Sequence, residues 1–219
     1  MGTRARVGRA WNAVLCGLVF AALVTQVVLV LQGGTDVNST GQGPHENLAV
    51  RLVRLFSYFT IQSNILVCAM TALLVARPGR DGRAWRVLHL DALLGIAITG
   101  IVFALVLAPL GHYSGVPGLL NITFHFVSPI AVLAGWLLFG PHGRVEPRTV
   151  AWAFAWPAAW IAYTFAHGAA SGWYPYPFLD AAELGYPVAL RNTAIVLVAA
   201  LILAALAGWA DRRLARVQA

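Results

Sequence analysis

The sequence predicts an all-α polytopic membrane protein, a single domain of six transmembrane helices with both termini on the cytoplasmic side. Three observations predict it. Of 219 residues, 59% are hydrophobic and only 11% charged, and the mean hydropathy is +0.73, far from the balance of a water-soluble domain. Six apolar runs approach the roughly 20 helical residues that cross a hydrocarbon core of about 30 Å. The basic residues fall in alternate linkers, as the positive-inside rule requires.

The first run, residues 11–31, follows Arg4, Arg6 and Arg9. Its apolar stretch exceeds the usual 7–15 residues of a signal peptide and no small-x-small cleavage site follows it cleanly, so it reads as a retained helix. The second covers 52–76 and the third 87–110, with Arg77, Arg80, Arg83 and Arg86 around the linker between them. The fourth covers 117–140 and the fifth 150–170, separated by Arg144 and Arg148. The sixth, 187–210, is followed by Arg212, Arg213 and Arg216. That assigns 12 of the 15 arginines, in a chain without lysine, to one side; the opposite linkers carry Asp36, Glu46, Asp180 and Glu183. The linkers are too short for a separate soluble domain, and no repeat of 20–50 residues is visible.

The formal charge of +7 is therefore a topology signal. No basic face interleaved with aromatics is left over, and nucleic acid is not an expected partner. Cys16 and Cys68 lie inside spans and read as small buried hydrophobes. The arginine- and alanine-rich composition suggests a GC-rich bacterial genome, hence the inner (plasma) membrane.

The stretch FSYFTIQSN (56–64) interrupts the second run with Thr60, Gln62, Ser63 and Asn64. Thr60 lies roughly 12 Å below the outer end of its span at 1.5 Å per residue, and His125 about 10 Å below the start of the fourth. Tyr163, Thr164 and His167 occupy the outer half of the fifth span, Arg191 and Asn192 the outer end of the sixth. Helical spacing puts Ser57, Thr60 and Asn64 on one face, Asn121, His125 and Ser128 on another, and Tyr163 and His167 on a third. Polar side chains facing lipid are costly, so these faces point to a polar chamber open on the outer side. Interhelical hydrogen bonding is the plain alternative for the Ser, Thr, Asn and Gln residues. Pro129 removes the N–H that would pair with the His125 carbonyl, which loosens the helix there. His89 and Asp91, two residues apart at the cytoplasmic end, read as solvated at the headgroups, and Trp85, Trp152 and Trp173 as aromatic belts.

A threonine hydroxyl becomes a nucleophile when a base takes its proton, and histidine is the residue for that task near neutral pH. Thr60 and His125, at matched depth on different spans, are the candidate pair, with Asn64 or Asn121 as oxyanion donor. Gln62, Tyr163 and His167 are further chamber residues. Arg54 and Arg191, with Arg51, are the arginines outside the cytoplasmic set, suited to a carboxylate head group or to anchoring at lipid phosphates. Asp180 is placed to pair with an arginine or orient a histidine, or to be a plain exposed loop carboxylate.

Three blocks, YFTIQSN, LNITFHFVSP and AHGAASGWYPYPFLD, together resemble the bacterial predicted six-transmembrane proteins and, more distantly, the animal androgen-induced-gene family of integral membrane threonine hydrolases. Thr60 matches the family threonine after its aromatic–aliphatic lead-in. Leu120, Asn121 and His125 match its L-N-x-x-x-H stretch, and Gly172 to Asp180 match, with one offset, its G-x-W-x-Y-P-F-L-acid element. The resemblance implies a hydrolase of fatty acid esters of hydroxy fatty acids or similar amphiphiles, with Thr60 as nucleophile and His125 as base. It calls for no cofactor and no metal, and for a lipid substrate drawn from the bilayer. Three other classes stay open: a binding or transport protein for a small amphiphile, a haem or metal carrier using His125 and His167, and a purely structural membrane protein.

Overall fold

The computed structural model describes residues 2–33, 47–110 and 114–218, and every described regular element is helical. Asp36 and Glu46 lie outside the described residues. The helices are α1 (Thr3–Leu31), α2 (Leu48–Ser57), α3 (Phe59–Ala76), α4 (Arg83–Val102), α5 (Gly115–Ile122), α6 (Ser128–Phe139), α7 (Pro147–Ala153), α8 (Ala155–Ser171), the single turn α9 (Ala181–Leu184) and α10 (Tyr186–Gln218). Five stretches are long and apolar enough to cross a membrane: Thr3–Leu31, Phe59–Ala76, Arg83–Leu110, Gly115–Phe139 and Tyr186–Val217.

Two of the expected spans are broken. The run at 150–170 divides at Phe154, and its longer piece, α8, has 17 residues. Pro157 explains the break: it offers no N–H to the Ala153 carbonyl four residues back, and its ring crowds that carbonyl. The run at 52–76 divides at Tyr58, whose backbone is extended (φ −68°, ψ 129°). Here the cause is tertiary. The Phe56 carbonyl accepts from Gln62 Nε2 at 2.9 Å and the Ser57 carbonyl from Trp160 Nε1 at 2.8 Å, so side chains take acceptors that a continuing helix would use. Ser57 consequently belongs to α2, and does not share a helical face with Thr60 and Asn64. The first and last helices also extend past their expected apolar runs.

Two further departures from α geometry have a common origin. A π turn covers Phe103–Leu107 and another Thr123–Val127. Each ends two residues before a proline, Pro109 and Pro129, whose missing N–H and bulky ring displace the carbonyl four residues back and widen the turn. The loosening expected at His125 is therefore a one-residue shift in hydrogen-bond register.

At one end of the bundle the arginine-bearing segments meet. Arg4 donates to the Leu138 carbonyl and Arg144 to that of Arg80, while Arg86 bridges Asp81 and Glu146. The Arg86 guanidinium holds the Asp81 carboxyl well below the usual carboxylate range. Asp211 of α10 is buried there and accepts from the backbone N–H groups of Gly143, Arg144 and Val145 at 3.0, 2.7 and 2.8 Å. Trp85, expected in an aromatic belt, is instead buried, with Leu15, Val19, Met70, Ile96 and Trp136 in the apolar core at this end. His89 is buried beside it rather than solvated.

At the far end a second core gathers Ile61, Phe124, Tyr176 and Leu179. The loop after α8 folds back over this core. Gly168 makes that possible: a Cβ there would occupy the space of the Tyr174 ring. Asn192 Nδ2 ties the loop to α10 through the Phe178 carbonyl at 2.9 Å.

Candidate functional site

The break at Tyr58 puts Thr60 in the first turn of α3, where helix N–H groups lack carbonyl partners and the helix dipole favours negative charge. The Thr60 N–H is taken by a side chain instead, donating to the Tyr176 hydroxyl at 3.1 Å. The Thr60 hydroxyl lies 3.2 Å from the same tyrosine oxygen and 3.3 Å from His125 Nε2. Thr60, Tyr176 and His125 are all buried, with His125 only 1% exposed.

The histidine is held on two sides. Its Nδ1 lies 3.0 Å from the Asn121 carbonyl oxygen. A carbonyl only accepts, so Nδ1 carries the proton in neutral imidazole and Nε2 presents its lone pair to Thr60. Phe103, from the other π turn, stacks on the ring at 4.0 Å between centroids and 20° between planes. The two proline-induced turns thus meet at the imidazole and fix its plane.

The sequence candidates divide into those at this centre and those away from it. Asn64 stands one turn along α3 from Thr60, and its Nδ2 donates to the Thr60 carbonyl at 2.9 Å and to that of Phe124 at 3.5 Å. Its amide hydrogens serve the backbone, so it steadies α3 against the Thr123–Val127 turn and aims no donor at the Thr60 hydroxyl. Asn121 contributes its main-chain carbonyl. The side-chain oxygens of Asn64, Asn121, Ser63 and Ser128 are enclosed with no hydrogen-bond partner among the described residues. Buried acceptors of this kind call for water or a ligand hydroxyl.

Gln62 bridges the helix break, accepting from Trp156 Nε1 at 2.9 Å while donating to Phe56. Tyr163 bonds Ser57 Oγ at 2.7 Å, stands half-exposed and packs on His167. His167 Nδ1 lies 3.2 Å from Ser171 Oγ. Arg54 lies over the Trp173 ring at 5.1 Å, and Arg191 donates to Asn192 Oδ1 at 3.3 Å. Arg51 donates to the Val30 carbonyl at the end of α1. Asp180 accepts from the N–H groups of Ala182 and Glu183 and caps α9. These last groups form the surface around the aromatic loop.

Two apolar cavities flank the pair. One, about 90 Å³, lies between α3, α4, α8 and α10 and has Thr60 and Tyr176 in its wall. The other, about 420 Å³, lies between α4, α6 and α10 and has His125 in its wall. The lining is apolar, so the space beside Thr60 suits an alkyl chain rather than the polar chamber expected from the sequence. Thr60 and His125 bond one another at the cavity walls, and the Gln62 and Asn64 amides bond backbone carbonyls, which turns those amides away from the open space. Both ring nitrogens of His125 have partners, and no group of three or more His, Cys, Asp or Glu side chains is close enough to hold a metal ion among the described residues.

Tyr176 is the site residue that sequence reading missed. It stands in the AHGAASGWYPYPFLD block with no role assigned; a tyrosine between Pro175 and Pro177, where the chain is stiff, is the one signal that marked it. Replacing it by phenylalanine removes the hydroxyl beside Thr60 and leaves the ring packing. Tyr176→Phe is expected to leave the buried Thr60 N–H without its acceptor and to lower the melting temperature in detergent by a few degrees, the cost of one unpaired donor.

No family model, curated protein or solved structure matches this chain.

Proposed function

We propose that the protein is an intramembrane hydrolase of lipid esters, with Thr60 as nucleophile and His125 as general base. The observation that carries this reading is the 3.3 Å contact between the Thr60 hydroxyl and His125 Nε2, with the opposite ring nitrogen bonded to the Asn121 carbonyl. Nucleophile, base and orienting group stand in one line, the arrangement by which weak hydroxyl nucleophiles are activated.

In the reaction, His125 Nε2 takes the hydroxyl proton as Thr60 Oγ1 attacks the ester carbonyl carbon. The carbonyl oxygen becomes an oxyanion stabilised by the Tyr176 O–H and the N-terminal end of α3. The imidazolium then protonates the leaving alkoxide, which departs as the alcohol and leaves an acyl ester on Thr60. Water, deprotonated by the same nitrogen, attacks that ester, and the carboxylic acid leaves as the threonine is restored. The apolar cavities on the two sides of the pair favour a substrate with hydrocarbon on both sides of the ester, such as a fatty acid ester of a hydroxy fatty acid.

The same reading takes α7 and α8 together as a sixth span and the arginine-rich end as cytoplasmic. Both termini then lie inside a bacterial plasma membrane, and the Thr60 end faces outward. The family resemblance carried by YFTIQSN, LNITFHFVSP and AHGAASGWYPYPFLD supports this placement.

The test is covalent labelling of purified protein by a fluorophosphonate probe in detergent. Wild type and Thr60→Ser are expected to label, and Thr60→Ala is expected not to. Equal labelling of Thr60→Ala would sink the proposal; a wild type that retains amphiphiles without reacting would make it a binding protein.

A further inference from the structure

The narrower cavity has a polar group at each end. Thr60 and Tyr176 stand in its wall at one end, and Asp91 stands in the same wall further along. Their separation follows from the helix register. Ser63 Oγ lies 3.1 Å from where a Cβ on Gly95 would be, so Ser63 of α3 and Gly95 of α4 are level. Thr60 precedes Ser63 by three residues and Asp91 precedes Gly95 by four on the oppositely directed helix. At 1.5 Å per residue the two are about 10 Å apart along the bundle axis.

The other hydroxyls of this wall are committed to backbone. The Thr99 hydroxyl is committed to the Gly95 carbonyl at 2.9 Å and the Thr193 hydroxyl to that of Ala189 at 2.9 Å. Asp91 differs. Its Oδ1 is fully enclosed and has no hydrogen-bond partner among the described residues. The sequence placed this carboxyl at the headgroups, where water would satisfy it; the structure places it half-buried in the wall of the cavity, with Oδ1 enclosed. An acceptor left without a donor in such a site is costly, and carboxyl groups within spans mark ligand paths more often than they mark packing.

We propose that Asp91 is a second polar anchor of this cavity, and that the acyl chain it accepts carries a hydroxyl about 10 Å from the reacting carbonyl. A hydroxyl supplies the missing donor at far smaller desolvation cost than an ammonium. A chain ending in methyl leaves the carboxyl without a donor. The inference rests on the reading of Thr60 only for which end of the ligand holds the carbonyl.

It is tested by binding, without turnover, on full-length Thr60→Ala protein in detergent micelles. The probe is a brominated fatty acid methyl ester that quenches Trp156 and Trp160, both in the cavity wall. Competitors are methyl esters of increasing chain length, each with and without a terminal hydroxyl. The hydroxylated ester is expected to compete about tenfold better at the matching length, the equivalent of one net hydrogen bond. Adding Asp91→Leu is expected to abolish the preference, and adding Asp91→Asn to keep it. Equal competition by both series, a preference surviving Asp91→Leu, or no quenching by the probe overturns the proposal. Should the preference hold while wild type hydrolyses nothing, the hydrolase reading falls and the anchor stands. Hydrolysis without the preference removes the anchor alone.

Discussion

With Thr60 and His125 in the roles proposed for them, His125→Gln is expected to lower kcat/KM for a fluorogenic fatty acyl ester by at least about a thousandfold, with the protein still folded. Glutamine keeps a hydrogen-bonding group near Thr60 but has no basicity, so the hydroxyl proton has nowhere to go. The size follows from what the site otherwise provides. Thr60 has one ring nitrogen in reach, and the neighbouring Tyr176 hydroxyl already accepts the Thr60 N–H. Asn64 spends its amide on backbone carbonyls. Among the described residues no second base bonds the Thr60 hydroxyl. His125→Ala is expected to match this loss and to lower the melting temperature as well, because it also removes the stack on Phe103. Thr60→Ala is expected to show the same residual rate as the double variant, since nucleophile and base act as a unit. A His125→Gln enzyme retaining more than about a tenth of the rate would exclude general-base chemistry at this position.

Asp211→Ala is expected to cost about 2–4 kcal/mol of stability, among the larger single-residue effects. The carboxylate is 1% exposed and accepts three consecutive N–H groups, from Gly143 to Val145. Its removal strands those donors beneath α10. Water reaches part of the loop, since Gly143 is exposed, which keeps the cost below the sum of three buried losses. Asp211→Asn retains one acceptor oxygen and is expected to fall between. The measurement is thermal unfolding in detergent, with the esterase rate per folded molecule as control. The loop lies at the opposite end of the bundle from Thr60, so that rate should not change. A melting temperature for Asp211→Ala within a degree or so of wild type would show that water replaces the carboxylate fully.

How far the sequence could be read depended on whether the cause was local or distant. Apolar runs declare themselves because each residue's partition into hydrocarbon adds independently of its neighbours. Pro129 likewise announced the loosened turn at His125, since a proline acts within four residues of itself. Pro157 and Pro109 act by the same local rule, and the division of the 150–170 run at Phe154 was legible in principle. The break at Tyr58 was not. It needs the Trp160 indole and the Gln62 amide to capture carbonyls, and one of these lies about a hundred residues away. Asp211 reads as one more charge near a helix end until the three N–H groups it serves come into view.

The sequence by itself determined an all-helical chain with arginine at alternate linkers, and it placed a threonine and a histidine at matched depth on separate apolar runs. Depth is additive along a helix, 1.5 Å at a time, so it can be counted from residue numbers. Azimuth cannot. Which face of α3 meets which face of the Thr123–Val127 turn depends on how side chains from several helices fill one volume. Only the tertiary structure therefore decided that Tyr176 stands at the Thr60 hydroxyl, that Phe103 fixes the imidazole, and that Asp91 stands in the cavity wall with Oδ1 enclosed.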